Sequence, residues 1–384
     1  MRFAGIIAEY DPFHNGHAWQ LAQARALGAQ RVAVAMSCGL TQRGALPLLP
    51  ESVRVRAALE CGADLVFALP APWACAGAEA FARAGVHLLA ATGCDALVFG
   101  AETPDAALLL ETARVLNSAA YRAALKQQLA AGARSFAAAR QAAVQAVGAD
   151  PAMAELLSQP NNNLAVEYCR AILEQRADMT PVPLPRRGAN HGQTLEESGH
   201  AQFASASALR ALWAEGGAEA VAPFVPEKAF ELYKTAENDG AYTDFDAAGR
   251  CELTLLRAAC AKPEPFAAVR GVSEGLEHRL EHAVRQSTSL PQLLDALTTV
   301  RYPRARMRRL AMDAALGYTA DTVPALPPAL HLLGARKDAL PLLGQVSLPV
   351  PGWRRHRQRP ATLGPCAGQT RPRWAEYIVK KISF

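Results

Sequence analysis

None of the eight cysteines in this 384-residue chain (Cys38, Cys61, Cys75, Cys94, Cys169, Cys251, Cys260 and Cys366) forms a C-x-x-C pair. That spacing would be needed for zinc-ribbon or thioredoxin-like chemistry. Most of them sit in apolar runs, which predicts reduced, buried thiols, and a chain this long needs no disulfide scaffold. No uninterrupted apolar span of membrane length and no secretory leader is present: Met1-Arg2-Phe3-Ala4 leads straight into an apolar strand. A soluble, cytoplasmic protein without a membrane partner is therefore expected. Also missing are a G-x-G-x-x-G after the first strand and a G-x-x-x-x-G-K-[ST] anywhere, so neither glycine-rich phosphate cradle is available. There is no internal repeat.

What is present is ample material for a core, with 51% hydrophobic residues and a length that favours two domains over one. Charge is distributed unevenly. From Arg301 to Phe384 there are 15 Lys and Arg against 4 Asp and Glu, an excess of 11 that leaves the first 300 residues at −6 within the net +5. An acidic body with a basic end points to a polyanion as the partner of that end.

The densest signal is at the amino end. Phe3–Ala8 is a short apolar strand, Glu9-Tyr10-Asp11-Pro12-Phe13 breaks it, and His14-Asn15-Gly16-His17 opens a helical pattern. A helix N-terminus carries unpaired N–H groups and partial positive charge, so it is a ready anion site. Gly16 permits close backbone approach, Pro12 stiffens the entry, and two histidines three residues apart share a helix face. Imidazoles so placed can donate to phosphate oxygens as charge develops at phosphorus. Removing such a donor costs roughly 3–4 kcal/mol in other active sites. The chemistry implied is adenylyl or nucleotidyl transfer.

Short, continuous apolar segments at Phe3–Ala8, Arg31–Met36, Asp64–Leu69 and Ala96–Phe99 alternate with helical patterns at His17–Leu27, Pro50–Cys61 and Gly77–Thr92. The succession predicts an α/β fold with a doubly wound, Rossmann-like parallel sheet, ligands lying beyond the carboxyl ends of the strands. Asp105–Val147 reads as helical. Pro160-Asn161-Asn162-Asn163 reads as a turn and N-cap for a helix over Leu164–Arg176, and Met179–Leu184 as a strand weakened by Pro181 and Pro183. Ser205 opens another helix. From about Val225 onward the chain looks predominantly helical.

The motifs carry a family resemblance. Gly5-Ile6-Ile7-Ala8-Glu9-Tyr10-Asp11-Pro12-Phe13-His14-Asn15-Gly16-His17 resembles the opening of the bacterial tRNA(Met) cytidine acetate ligases, within the H-x-G-H nucleotidyltransferase superfamily. Met36-Ser37-Cys38-Gly39-Leu40-Thr41-Gln42-Arg43-Gly44 is similar to that family's M-S-G-x-x-x-Q-R-G, and Phe99-Gly100-Ala101-Glu102 to its F-G-S-E. Pro160–Tyr168 is similar to P-N-N-I-L-x-I-E-Y, Arg186-Arg187-Gly188-Ala189 to R-I-G-A, and Ala204–Arg210 to A-S-A-T-x-I-R. Gly275–Leu280 and Arg301-Tyr302 fall where the family has G-L-E-N-R-I and K-R-Y-T.

The resemblance implies a nucleotidyltransferase-like ATP-binding domain over residues 1–222 and a helical, basic, tRNA-binding domain over residues 223–384. Its activity would be ligation of acetate, through acetyl-adenylate, to the exocyclic amine of the wobble cytidine of elongator methionine tRNA. ATP with Mg²⁺ would be the cofactor, with no metal held by protein side chains. By position, His14 and His17 would be catalytic. ATP would be wrapped by Ile7, Ala8, Glu9, Tyr10, Asp11, Pro12, Phe13, His14, Asn15, Gly16, His17, Ala18, Trp19 and Gln20, with Gly100, Asn161 or Asn162, Arg186 and Arg187 around it. Ser205, Ser207 and Arg210 would contact the triphosphate. Arg301, Arg304, Arg306, Arg308 and Arg309 would meet tRNA phosphates. Asp11 stands where the family usually has Asn; a carboxylate there would repel phosphate unless Mg²⁺ or a histidine intervened.

Two other readings fit parts of the sequence: a small-molecule nucleotidyltransferase of cofactor synthesis, which would leave the basic end unexplained, and a non-catalytic RNA-binding protein that keeps a nucleotide pocket. His278-Arg279-Leu280-Glu281-His282 matches H-x-x-E-H, an inverted zinc-protease pattern, but no third ligand accompanies it, and a solvated helix face explains it as well.

Overall fold

The computed structural model describes residues 1–186 and 203–352. Five apolar segments form the parallel part of one sheet: β1 (Phe3–Ala8), β2 (Arg31–Ser37), β3 (Leu65–Leu69), β4 (Ala96–Ala101) and β5 (Thr180–Pro185). They are joined by α1 (Asn15–Ala26), α2 (Glu51–Glu60), α3 (Ala71–Ala74), α4 (Ala78–Ala91), α5 (Ala106–Asn117), α6 (Ala119–Ala130), α7 (Phe136–Ala146), α8 (Pro151–Leu156) and α9 (Pro160–Gln175). The chain continues through α10 (Ala206–Val221), α11 (Glu227–Asn238), α12 (Phe245–Ala259), α13 (Leu276–Gln286), α14 (Leu290–Leu297) and α15 (Arg304–Leu316). A sixth strand, β6 (Leu332–Ala335), then pairs antiparallel with β3.

Strand order across the sheet is β5-β4-β1-β2-β3-β6. The winding reverses between β1 and β4, which opens a crevice beyond their carboxyl ends. Side chains alternate between two apolar layers, as the pleat requires. Ala33, Leu65, Phe67, Leu97 and Phe99 face the layer that contains α4, α5 and α9. Ile6, Val34, Val66 and Val98 face the layer of α1, α2, α10 and α11. Each fully buried large side chain contributes roughly 1.5–3 kcal/mol. Helix α4 lies close on β1 because Gly85 has no side chain: a Cβ there would stand 2.5 Å from Ile7 Cδ1. Helices α12–α15 enclose a third cluster around Leu256, Leu280, Leu293 and Met307.

The doubly wound sheet follows the sequence reading, and β5 occupies an edge, where its prolines are tolerated. The late chain is predominantly helical, as expected, and adds one short strand: β6 completes the sheet, and Leu330, Ala339 and Leu343 pack into the first layer. One expectation is corrected. The asparagine cluster does not cap α9. Pro160 is the first residue of that helix, with Gln159 at the N-cap and no side-chain cap bond, so the asparagines lie inside its first turn.

The helical cluster stands on the carboxyl edge of the sheet. Arg270 donates to the carbonyl of Cys75 at 2.8 Å, to that of Pro72, and to Asp313 on α15 at 2.7 Å. It thereby ties α15 to the loop beyond β3.

Candidate active site

The loop after β1 turns at Tyr10, whose φ of 51° is left-handed and costly for a non-glycine residue. The Tyr10 and Phe13 rings are buried and pack against His17, at centroid distances of 4.8 and 5.6 Å. Phe13 is held further by Tyr233, whose hydroxyl donates to its carbonyl at 2.7 Å. This apolar base sets the angle at which α1 starts.

His14 is the N-cap of α1. Its Nδ1 accepts the Gly16 N–H at 3.1 Å, and its own N–H donates to His17 Nδ1 at 3.2 Å. The two histidines thus build a reciprocal capping box, the role usually given to Ser and Glu. The rings stack with centroids 3.7 Å apart. With both Nδ1 atoms accepting, both rings carry their proton on Nε2. Burial lowers both pKa values: His14 is pushed down to about 3, with Arg186 adding to the effect, and His17 well below its ordinary value, with His14 and Arg186 adding. The pair is therefore neutral at pH 7 and presents two N–H donors. Gly16 is required between them, since a Cβ there would sit 2.9 Å from His14 Cε1. The rest of the segment anchors the helix. Gln20 donates to the Val98 carbonyl at 3.0 Å, Asn15 to that of Pro223 at 3.3 Å, and Ala18 and Trp19 pack on the second apolar layer.

Asp11 does not point bare carboxylate at phosphate. It is 4% exposed, accepts the Leu48 N–H at 2.6 Å, and pairs with Arg210 at 3.1 Å. Arg210, 199 residues away in sequence, compensates its charge. Arg210 also donates to the Asp11 carbonyl at 2.6 Å, which brings the start of α10 to this loop. There Ser205 caps α10 through the Ala208 N–H, and its hydroxyl lies 3.0 Å from that of Ser207. Pro12 is buried, Ala8 ends β1, and Ile7 lies under α4. Glu9 accepts the Gln42 N–H at 2.5 Å; burial, with Asp11 adding, outweighs that bond and raises its pKa.

Across the crevice, Arg186 leads off from the end of β5 and its Cγ lies 3.4 Å from where a Gly100 Cβ would be. Beside it, Glu102 closes the start of α9. Its carboxylate accepts the backbone N–H groups of Asn161 (3.2 Å) and Asn162 (2.7 Å) and the Asn161 side-chain amide (2.6 Å). The Asn162 amide is fully buried, accepting the Thr103 N–H at 2.9 Å and donating to Thr103 Oγ1 at 3.1 Å. Arg187 falls outside the described residues.

The arginines of α15 and of the turn before it divide into two sets. Arg301 and Arg304 are exposed and paired with Glu274 and Asp295, and Arg306 lies over the Tyr302 ring with 5.0 Å to its centroid. Arg308 is bidentate to buried Glu252, and Arg309 donates to the Gln42 carbonyl at 3.3 Å. In the H-x-x-E-H stretch Glu281 binds Arg285 at 2.7 Å.

Sequence reasoning missed Arg54 and Glu102. Arg54 is 1% exposed and donates to the carbonyls of Glu9 (2.8 Å), Ser37 (2.9 Å) and Leu49 (3.2 Å), which pins the loops after β1 and β2 together. Its signal is an arginine on the same helix face as Ala57, Ala58 and Cys61. Glu102, quoted only as part of a motif, is the cap that the asparagines were expected to be.

Comparison with known proteins agrees with this geometry. The HIGH Nucleotidyl Transferase family matches residues 1–350. A tRNA(Met) cytidine acetate ligase of Syntrophotalea carbinolica is 34% identical over 351 residues, spanning 90% of this chain and 82% of that protein. One of Listeria monocytogenes is 30% identical over 358 residues, spanning 91% and 89%. Among solved structures, Thermotoga maritima TmcAL bound with alpha-thio ATP superposes with a TM-score of 0.81 at 29% identity, covering 91% of this chain and 85% of that one. Its apo form gives a TM-score of 0.84 at 30% identity, with the same coverage. A strand–loop–helix with two Nε2–H imidazoles at the β1/β4 crevice defines a HIGH nucleotidyltransferase fold. Within that class, the chain belongs to the tRNA(Met) cytidine acetate ligase family, and it is an ATP-binding ligase.

Proposed function

We propose that this protein activates acetate with ATP and transfers the acetyl group to the exocyclic amine of the wobble cytidine of elongator methionine tRNA, in the cytoplasm. The observation that carries the reading is the neutral, stacked His14–His17 pair at the N-terminus of α1, facing Arg186. An acetate oxygen attacks the α-phosphorus of ATP, the bond from that phosphorus to the bridging oxygen breaks, and pyrophosphate leaves. Acetate is already ionised at neutral pH, so the step needs charge stabilisation rather than a base. The Nε2–H donors, the helix N-terminus and the guanidinium of Arg186 supply that stabilisation. The cytidine amine then attacks the acetyl carbon, AMP departs, and the nitrogen loses a proton.

The ATP contacts proposed are the Ile7–Gln20 segment, Gly100, Asn161 or Asn162, Arg186 and Arg187, with Ser205, Ser207 and Arg210 at the phosphates. Among the described residues no three His, Cys, Asp or Glu side chains converge to hold a metal. Glu9 and Asp11 are already engaged by Gln42, Leu48 and Arg210. Mg²⁺ is therefore proposed to enter on the triphosphate, held by phosphate oxygens and water. For tRNA, the exposed Arg301 and Arg304 with Arg306 are the phosphate contacts proposed first; Arg308 and Arg309 serve mainly to hold the helices. The nucleotide-binding unit is proposed to span residues 1–222 with β6 completing its sheet, and the tRNA-binding unit to be built on the helices after residue 223. No helix among the described residues is long and apolar enough to cross a membrane.

The test incubates the full chain with ATP, radiolabelled acetate and methionine tRNA. Label in the RNA, abolished by His14→Ala, is expected. No label, with pyrophosphate released only when a different small substrate is added, overturns the reading in favour of a small-molecule nucleotidyltransferase.

A further inference from the structure

The Gln42-Arg43-Gly44 segment is left without a role by the reaction above, yet it is where the helical cluster touches the nucleotide loop. It forms a tight turn: the Gly44 N–H donates to the Thr41 carbonyl and the Thr41 N–H to the Ala45 carbonyl, both at 2.9 Å. Gly44 has φ +80°, and a Cβ there would stand 3.0 Å from the Arg309 Cα and backbone N, so α15 rests its backbone directly on the turn. Gln42 is gripped from both sides. Its N–H goes to Glu9, beside Tyr10 in the nucleotide loop, at 2.5 Å; its C=O takes Arg309 Nη1, from α15, at 3.3 Å. Gln42 thus joins α15 to the loop after β1 through one residue. The helix carrying Arg309 is held on the sheet by Arg270, bound to Asp313 and to the Cys75 carbonyl, and within its cluster by the bidentate Arg308–Glu252 pair.

We propose that Arg309 is a positioning residue for ATP: from α15 it fixes Gln42, and through that residue the Glu9 carboxylate that shapes the nucleotide loop. Seating of the helical cluster and seating of ATP are then one event, and Arg309 acts without touching RNA. Arg43, next in the chain, is set by the same joint; its charge, after burial and the charge of Glu102, bears on Arg186 across the crevice.

The assay rests on the ligase reading; the joint does not. Acetate-dependent ATP–pyrophosphate exchange is measured on the full chain without RNA. The variants are Arg309→Met, Arg309→Lys, Glu9→Ala, which removes the acceptor of the Gln42 N–H, and the double variant Arg309→Met/Glu9→Ala. Arg309→Met keeps the packing volume, so a folded protein by thermal melt is expected. Its KM for ATP should rise about tenfold, the loss typical of one charged hydrogen bond, with kcat within twofold. Arg309→Lys should recover part of this. The double variant should lose no more than the worse single one, because both act through one residue. Methionine tRNA binding by filter assay should stay within twofold for all of them. An unchanged KM with weakened tRNA binding makes Arg309 a phosphate contact and overturns the proposal, as does full additivity. If the wild type shows no exchange, the ligase reading fails; direct titration with α,β-methylene ATP then tests the joint, and equal affinity of wild type and Arg309→Met overturns it.

Discussion

The imidazoles of His14 and His17 each spend Nδ1 on a backbone N–H of the same helix turn, so folding of α1 sets the tautomer of both before any ligand arrives. A helix cap and a pair of phosphate donors are here the same two side chains.

That dual use predicts a pH dependence of stability. His14 is held neutral in the fold, with its pKa pushed to about 3 by burial, whereas the unfolded imidazole titrates near its ordinary value of 6.5. Between these values the unfolded chain binds more protons, so this contribution is complete above pH 6.5 and is lost as the pH falls. Urea midpoints should decline from pH 7.5 to 5. His14→Asn keeps a capping oxygen without a titrating ring. It should flatten the slope by at most about 1.4 kcal/mol per pH unit, less in proportion to the partial exposure of the ring. An unchanged slope would mean the ring is protonated in the fold.

Asp11→Asn should fold and stay active, since an amide oxygen can still accept the Leu48 N–H, and Arg210 is released toward the phosphates. Its KM for ATP should fall or stay within about threefold. Asp11→Ala leaves the Leu48 N–H and Arg210 without their acceptor and should cost about 1–3 kcal/mol in urea unfolding. A larger defect in Asp11→Asn than in Asp11→Ala would contradict this account.

At the β1–α4 contact, Gly85→Ala places a methyl group 2.5 Å from Ile7 Cδ1. Overpacking of this kind costs about 1–3 kcal/mol. Adding Ile7→Val removes the nearest clashing atom and leaves Cγ1 at 2.9 Å, so the double variant should regain part of the loss by thermal melt. Strict additivity of the two changes would argue against this contact.

Salt titration separates the α15 arginines. Arg306→Ala should weaken tRNA binding and reduce the magnitude of the log–log salt slope by about one. Arg308→Ala breaks a buried pair with Glu252 and should lower the unfolding free energy by about 3–5 kcal/mol. A changed salt slope in Arg308→Ala with unaltered stability would reverse the two assignments.

Much of this was legible before the structure. Strands β1 to β4 announce themselves as continuous apolar runs because both sheet faces are covered, and the His14–His17 spacing shows in seventeen residues. Strand β6 was hidden: four residues, Leu332–Ala335, in a stretch bounded by prolines carry no period of their own. The partners of charged groups were hidden as well. Asp11 meets Arg210, and Arg308 meets Glu252, across sequence gaps of 199 and 56 residues that only the topology closes. Asn161 and Asn162 look like a cap by composition, but a carboxylate 59 and 60 residues away takes that place.

Strand β6 has a consequence for anyone cutting this chain. Thr243 is fastened to the Pro47 and Leu48 carbonyls just before α12, and β6 returns to β3 after α15. The helical excursion thus has both feet planted on the sheet, like the span of an arch. A truncation at residue 320 would not yield a minimal ATP-binding fragment. It would bare the hydrogen-bonding edge of β3, and such a fragment is expected to self-associate along that edge.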